Sequence, residues 1–167
     1  MYPAHVHMCE VSDMTNSPKI GDRAPDFEAR DQSGNTVSLA SFFGRPVVLY
    51  FYPADNTPGC TAEACSFRDS MDILLSRGIA VLGVSVDSEK SHAGFASRYK
   101  LNFTLISDRT KSIVREYGVE SRFGTAKRVT YIIGPDAIIR FIFPHVNTKT
   151  HADEVLKKIE ELGLVSA

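Results

Sequence analysis

The residues best placed for chemistry lie in Tyr52-Pro-Ala-Asp-Asn-Thr-Pro-Gly-Cys-Thr-Ala-Glu-Ala-Cys65. Pro58 suits the first position of a helix, where its missing N–H is no loss. Thr57 is then the N-cap, with a hydroxyl able to accept from the N–H of Gly59 or Cys60. That makes Cys60 the third helical residue, close to unsatisfied amides and to the positive end of the helix dipole. A free thiol titrates near ~8.5, so only a few per cent is ionised at neutral pH. A helix N-terminus is one of the settings that lowers this value. The chemistry expected of Cys60 is nucleophilic. The alternative is a buried cysteine that acts as a small hydrophobe.

Turning the helix at ~100° per residue places Ala64, Phe67, Met71 and Leu74 within ~40° of Cys60, and Leu75 at ~60°. This apolar stripe is expected to face a sheet. Cys65 falls at ~140°, among Arg68, Asp69 and Asp72 on the wet side. On an intact helix the two Cα atoms are ~8.7 Å apart, beyond the ~7 Å reach of a disulfide. A bond between Cys60 and Cys65 therefore requires the first turns to unwind. The spacing does not converge ligands on a metal, and no histidine is near in sequence. A Cys-x-x-Cys pair, the mark of a general disulfide exchanger, is absent.

Alternating strands and helices position this segment. Phe27–Leu39 reads as a hairpin turning at Ser33-Gly34-Asn35. Pro46–Tyr52 is continuously apolar and rich in β-formers, as expected of a strand covered on both faces. Residues 58–76 are the helix, stopped by Gly78. Ile79–Val86 is a second buried strand, followed by a helix near Glu89–Tyr99, a short strand Phe103–Ile106 and a short helix Lys111–Tyr117. Arg128–Ile133 and Ala137–Phe143 flank a turn at Gly134-Pro135-Asp136. The last helix has Thr150 and Asp153 in capping-box spacing and is expected to bury Ala152, Val155, Ile159 and Leu162. The fold class is α/β, with a central mixed sheet and helices on both faces.

A length of 167 residues fits one domain able to fold without disulfides or structural metal. Nineteen Lys and Arg against 20 Asp and Glu leave a net charge of −1, which argues against nucleic acid or an anionic membrane surface as a partner. The longest apolar run, Pro46–Tyr52, is too short to span a bilayer. Three cysteines are too few, and odd in number, for a secreted disulfide scaffold. A cytoplasmic protein is expected. Residues 1–18 carry neither a signal peptide nor a transit-peptide pattern and read as a disordered leader, with Met14 a second candidate start. His5, His7 and Cys9 would share one face of an extended strand and could hold a metal. The leader reading is preferred because nothing nearby supplies a fourth ligand. Residues 19–167 form the domain.

Pro53-x-x-x-Thr57-x-x-Cys60 resembles the active-site signature of the peroxiredoxins. Cys65 is similar in placement to the resolving cysteine of their bacterioferritin-comigratory protein (peroxiredoxin Q) group. The resemblance runs from Gly21-Asp-Arg-Ala-Pro-Asp-Phe27 to the final helix, and Cys9 has no counterpart in it. It implies a thioredoxin-like fold and thiol-dependent reduction of hydrogen peroxide and organic hydroperoxides, with no cofactor. Cys60 would attack the peroxide. Thr57 and the amides around Gly59 and Cys60 would hold it, and Pro53 would shield the thiolate. Arg128 matches an arginine that the family supplies from a later strand, with Lys127 and Arg122 as nearby alternatives. Glu63 would either orient that network or be a first-turn carboxylate. Cys65 would condense with the Cys60 sulfenic acid, and thioredoxin or a glutaredoxin-like dithiol would reduce the resulting disulfide. A resolver within the chain needs no second subunit, so a monomer is expected. Two other readings compete: a thioredoxin-fold copper carrier using the cysteines with His145, and a holdase whose cysteines only sense oxidation.

Overall fold

The computed structural model describes residues 17–165. His5, His7, Cys9 and Met14, with the leader they belong to up to residue 16, lie outside the described residues.

Seven strands form one mixed sheet: β1 (Glu28–Asp31), β2 (Thr36–Ser38), β3 (Val47–Phe51), β4 (Ala80–Ser85), β5 (Thr104–Ser107), β6 (Val129–Ile133) and β7 (Ile139–Phe143). Their order across the sheet is β2-β1-β5-β4-β3-β6-β7. β3, β4 and β5 run parallel, with β6 antiparallel to β3 and β1 antiparallel to β5. Four α-helices accompany them: α1 (Pro58–Ser76), α2 (Glu89–Tyr99), α3 (Ser112–Glu116) and α4 (His151–Glu161). The expected α/β architecture is the observed one.

Local chemistry sets these boundaries. The β1–β2 hairpin turns where expected, with Asp31 Oδ1 accepting from the N–H groups of Ser33 and Asn35. All five residues of β3 are buried, because the strand is covered on both faces. Leu49 and Phe51 point into a core with Leu82, Val84, Ile106 and Tyr131, closed by Ile113 and Val114 of α3. Val48 and Tyr50 point the other way, against Ala64, Phe67 and Met71 of α1, Phe95 of α2, and Val155 and Ile159 of α4. α1 begins at Pro58 as expected, just past the C-terminal end of β3. In parallel α/β sheets that end is where ligands commonly bind.

Three local expectations fail. The buried face of α1 is Cys60, Glu63, Ala64, Phe67, Met71 and Leu74. It runs from ~60° on one side of Cys60 to ~40° on the other, so it takes in Glu63 and stops short of Leu75, which is 57% exposed. Leu162 is also exposed, because α4 ends at Glu161 and Leu162 turns away as the C-cap. Thr150 caps α4 without a side-chain bond. The amide of Ala152 in the first turn is satisfied instead by Ser66 Oγ of α1, at 3.0 Å.

Candidate active site

The chain leaves β3 in a tight loop, Tyr52–Thr57, with Asn56 in the left-handed region at φ +64°. A polar hub holds that loop. Asp55 Oδ1 accepts from the Tyr52 hydroxyl at 2.7 Å, and Asp55 Oδ2 accepts from Ser91 Oγ and lies 2.8 Å from His92 Nδ1. The Asp55 amide donates to Asp87 Oδ2, and His92 Nε2 reaches the carbonyl of Ile106. Sequence reasoning missed this hub. Tyr52 and Asp55 fall within the motif segment, but Asp87, Ser91, His92 and Ile106 come from elements farther along the chain.

Thr57 is the N-cap, in extended conformation, but its hydroxyl does not accept from the helix. It donates to the carbonyl of Ala54 at 2.9 Å, and the backbone carbonyl of Thr57 takes the first helical bond, from Thr61 N–H. The loop folds back tightly enough to offer that carbonyl in place of an amide. A hydroxyl that donates still has lone pairs with which to accept. Pro53 is half-buried at the start of the same loop.

Cys60 is buried, in the first turn of α1, among Tyr50, Tyr52, Ala64 and Phe67. Arg128, just ahead of β6, donates from Nη2 to Cys60 Sγ at 3.3 Å and from Nη1 to Glu63 Oε1 at 2.8 Å. Burial works against the Arg128 cation, but the neighbouring Cys60 and Glu63 together hold its pKa above the ordinary value. Lys127 and Arg122 are exposed, and Arg122 lies over the Phe123 ring. Arg128 is therefore the cation at the sulfur. Gly59 fits the close approach: a Cβ there would stand 3.1 Å from Arg128 Nη2.

Glu63 is wholly buried rather than a solvated first-turn carboxylate. Burial raises its pKa to about 7, with Arg128 pulling the other way. Behind it, His151 opens α4 with Nε2 2.8 Å from Thr130 Oγ1 and Nδ1 3.0 Å from Glu154 Oε1. Sequence reasoning missed His151 as well, since its buried neighbours Thr130 and Glu63 lie on other elements far along the chain. Cys65 is half-buried on the same unbroken helix as Cys60, and both are free thiols.

The raised Glu63 pKa has a consequence for stability. Between about 4.5 and about 7 the folded chain keeps a proton that the unfolded chain has released. Where the native state binds more protons, stability falls as pH rises. Across that window the loss is on the order of 3 kcal/mol. Glu63→Gln carries no such proton, so its melting temperature relative to the unmutated chain is expected to rise by several degrees between pH 5 and pH 8. A difference that stays constant over that range contradicts the burial argument.

Two observations disfavour a copper carrier. A guanidinium at 3.3 Å opposes a metal cation on Cys60, and His145 is exposed beyond β7. Among the described residues the one group with metal-ligand spacing is Asp55, Asp87 and His92, whose polar atoms bond to one another and to their neighbours. No helix among the described residues is long and apolar enough to cross a membrane.

In sequence and in fold the chain is similar to known proteins. The AhpC/TSA family profile matches residues 20–142. The chain is 45% identical over 145 residues to a chloroplastic peroxiredoxin Q of Sedum lineare, covering 85% of this chain and 78% of that protein. It is 40% identical over 150 residues to a putative peroxiredoxin bcp of Coxiella burnetii, covering 86% and 99%. Among solved structures, the peroxidoxin BcpB of Mycobacterium tuberculosis superposes with a TM-score of 0.81 at 33% identity, over 86% of this chain and 97% of that one. A cysteine-to-serine mutant of PrxQ from Xylella fastidiosa gives 0.83 at 30% identity, over 87% and 98%.

Proposed function

The chain belongs to the AhpC/TSA family, in its peroxiredoxin Q group, and is a thiol-dependent peroxidase; from that premise we propose that Cys60 is the attacking sulfur and Cys65 its resolver. The observation that supports this most is Arg128 Nη2 at 3.3 Å from Cys60 Sγ, in the first turn of α1.

The Cys60 thiolate attacks one peroxide oxygen and the O–O bond breaks. The other oxygen leaves with the electron pair, gains a proton and departs as water or an alcohol. Cys60 is left as a sulfenic acid. Arg128 and the amides of Gly59 and Cys60 oppose the charge that develops on the leaving oxygen. The Thr57 hydroxyl, committed as a donor to Ala54, accepts a hydrogen bond from the O–H of the bound peroxide. Pro53 keeps water from the sulfur. Hydrogen peroxide and organic hydroperoxides are the substrates, and antioxidant defence is the role.

The Cys65 sulfur then attacks the sulfenic sulfur, water leaves, and an intrachain disulfide forms. A dithiol donor of the thioredoxin or glutaredoxin kind exchanges with it and restores both thiols. A disulfide that exists only during turnover is compatible with a reducing cytoplasm. With its resolver in the same chain, a monomer completes the cycle.

One equivalent of hydrogen peroxide, followed by thiol alkylation and peptide mapping by mass spectrometry, tests the scheme. The expected product is a Cys60–Cys65 cross-link with Cys9 alkylated. An unmodified Cys60 refutes the assignment, and a persistent Cys60 sulfenic acid moves resolution to another thiol. Arg128→Ala removes the cation at the sulfur and is expected to slow sulfenic acid formation by about 10²-fold in rapid mixing. An unchanged rate would shift that role to another group.

A further inference from the structure

His92 takes no part in the scheme above, yet it is bonded to the loop that carries Pro53 and Thr57. Its side chain, on α2, is wholly buried, and the Asp55 side chain beside it is 1% exposed. Nδ1 lies 2.8 Å from Asp55 Oδ2, and Nε2 lies 2.9 Å from the carbonyl of Ile106 on β5. A carbonyl only accepts, so Nε2 carries a proton and donates to it. The ring thus ties the loop that follows β3 to the middle of the sheet.

The rest of the hub leaves Asp55 little freedom. The hydroxyls of Tyr52 and Ser91 donate to its carboxylate at 2.7 and 2.8 Å. Asp87 Oδ2 takes the Asp55 amide at 2.9 Å and is itself held by Ser85 Oγ at 2.6 Å. None of these side chains is among the buried ones left with an unbonded polar atom. A buried polar network with every member satisfied fixes one arrangement, because any other strands a polar group away from water.

What that arrangement fixes lies next to Cys60. Asp55 follows Ala54, whose carbonyl takes the Thr57 hydroxyl at 2.9 Å. Any shift of Asp55 carries that carbonyl with it, and so turns the lone pairs that Thr57 offers to the peroxide. Pro53 precedes Ala54 in the same loop. Asn56, between Asp55 and Thr57, is held at φ +64°, a conformation that persists only where the surroundings impose it.

We propose that His92 is a positioning residue for the peroxide step: through its Nδ1 contact with Asp55 it holds loop 53–57, and with it Thr57 and Pro53, in place against Cys60. The inference rests on the reading of Cys60 as the attacking sulfur. The two chemical steps then make different demands on His92. Attack on the peroxide needs the loop seated, whereas disulfide formation needs the first turns of α1 open and does not use the loop.

Two variants separate the contacts of the ring. His92→Asn places an amide N–H close to the position of Nδ1 and keeps a donor for Asp55. His92→Gln places one close to the position of Nε2 and keeps a donor for the Ile106 carbonyl. Each puts a neutral amide in place of the ring and gives up one bond, so a purely structural role would treat them alike. The reduced full chain is mixed with excess hydrogen peroxide, quenched at intervals, alkylated and followed by mass spectrometry. His92→Gln is expected to slow Cys60 oxidation about tenfold, the scale of a displaced contact to the reacting groups, and His92→Asn to recover most of that rate. Disulfide formation should proceed in both as in the unmutated chain. Equal rates of Cys60 oxidation in the two variants overturn the proposal. Hydrogen exchange at the Asp55 amide of the reduced, unmutated chain gives a readout that survives a variant's failure to fold. Slow exchange is expected, and exchange at the rate of a free amide overturns the proposal. If Cys60 of the unmutated chain is never oxidised, it is the reading of Cys60 that fails, and the proposal falls with it.

Discussion

Cys60→Ser is expected to abolish peroxide consumption, with a loss of at least about 10³-fold in the peroxide step. The reaction needs an anionic, polarisable atom that accepts an oxygen and then releases it as water when a second thiol attacks. A serine hydroxyl does none of this, because it stays protonated in a first helical turn and forms no sulfenic acid. The substitution isolates chemistry from structure. Cys60 is buried, and serine is nearly its shape, so Ala64, Phe67 and Met71 keep their contacts with the sheet. The buried hydroxyl has Arg128 close by, which limits the penalty for hiding a polar group. A folded variant that melts within a few degrees of the unmutated chain and consumes no peroxide supports the assignment. Substantial residual turnover, driven by Cys65 or Cys9, would move the nucleophile elsewhere. Retained protection of client proteins, with no peroxidase activity in either chain, would favour the holdase reading.

Some of this site is legible in the sequence because it is local. Pro58 and Gly78 bracket α1, and helical periodicity correctly buries Cys60 with Ala64, Phe67, Met71 and Leu74. The continuous apolar run in β3 correctly predicts burial on both faces. Expectations fail where a partner from elsewhere in the chain takes over. The Thr57 hydroxyl turns to Ala54, and the first turn of α4 is capped by Ser66 rather than Thr150. Arg128 meets Cys60 across 68 positions, so no local period could pair them; the family resemblance did. Neither periodicity nor resemblance pointed to the Asp55–His92 hub or to His151. Their partners come together only when β4, β5, β6, α1, α2 and α4 are assembled.

The second large effect is expected from Cys65→Ser, and it follows from the shape of α1. The two thiols sit on one uninterrupted helix. Five residues of helix separate their Cα atoms by ~8.7 Å and turn the side chains ~140° apart. A disulfide tolerates neither, so the first turns must open before the sulfurs meet. The anchors on either side confine that opening. Upstream, Asp55 is held by Tyr52, Ser91, His92 and Asp87. Downstream, Phe67, Met71 and Leu74 are locked in the core. Hydrogen exchange on oxidation is therefore expected to rise across residues 60–66 and to stay low from Phe67 onward. Unchanged exchange across 60–66 in the oxidised chain would contradict the unwinding. Cys65→Ser leaves the first event intact, because Arg128, Thr57 and Cys60 do not contact Cys65 through any hydrogen bond. One equivalent of peroxide should be reduced at the unmutated rate, after which Cys60 is stranded as a sulfenic acid and dithiol-driven cycling falls to background. Cycling that continues at the unmutated rate would remove Cys65 from the mechanism. Slower cycling that returns only with added small thiols is the signature of a Cys60 that has lost its resolver.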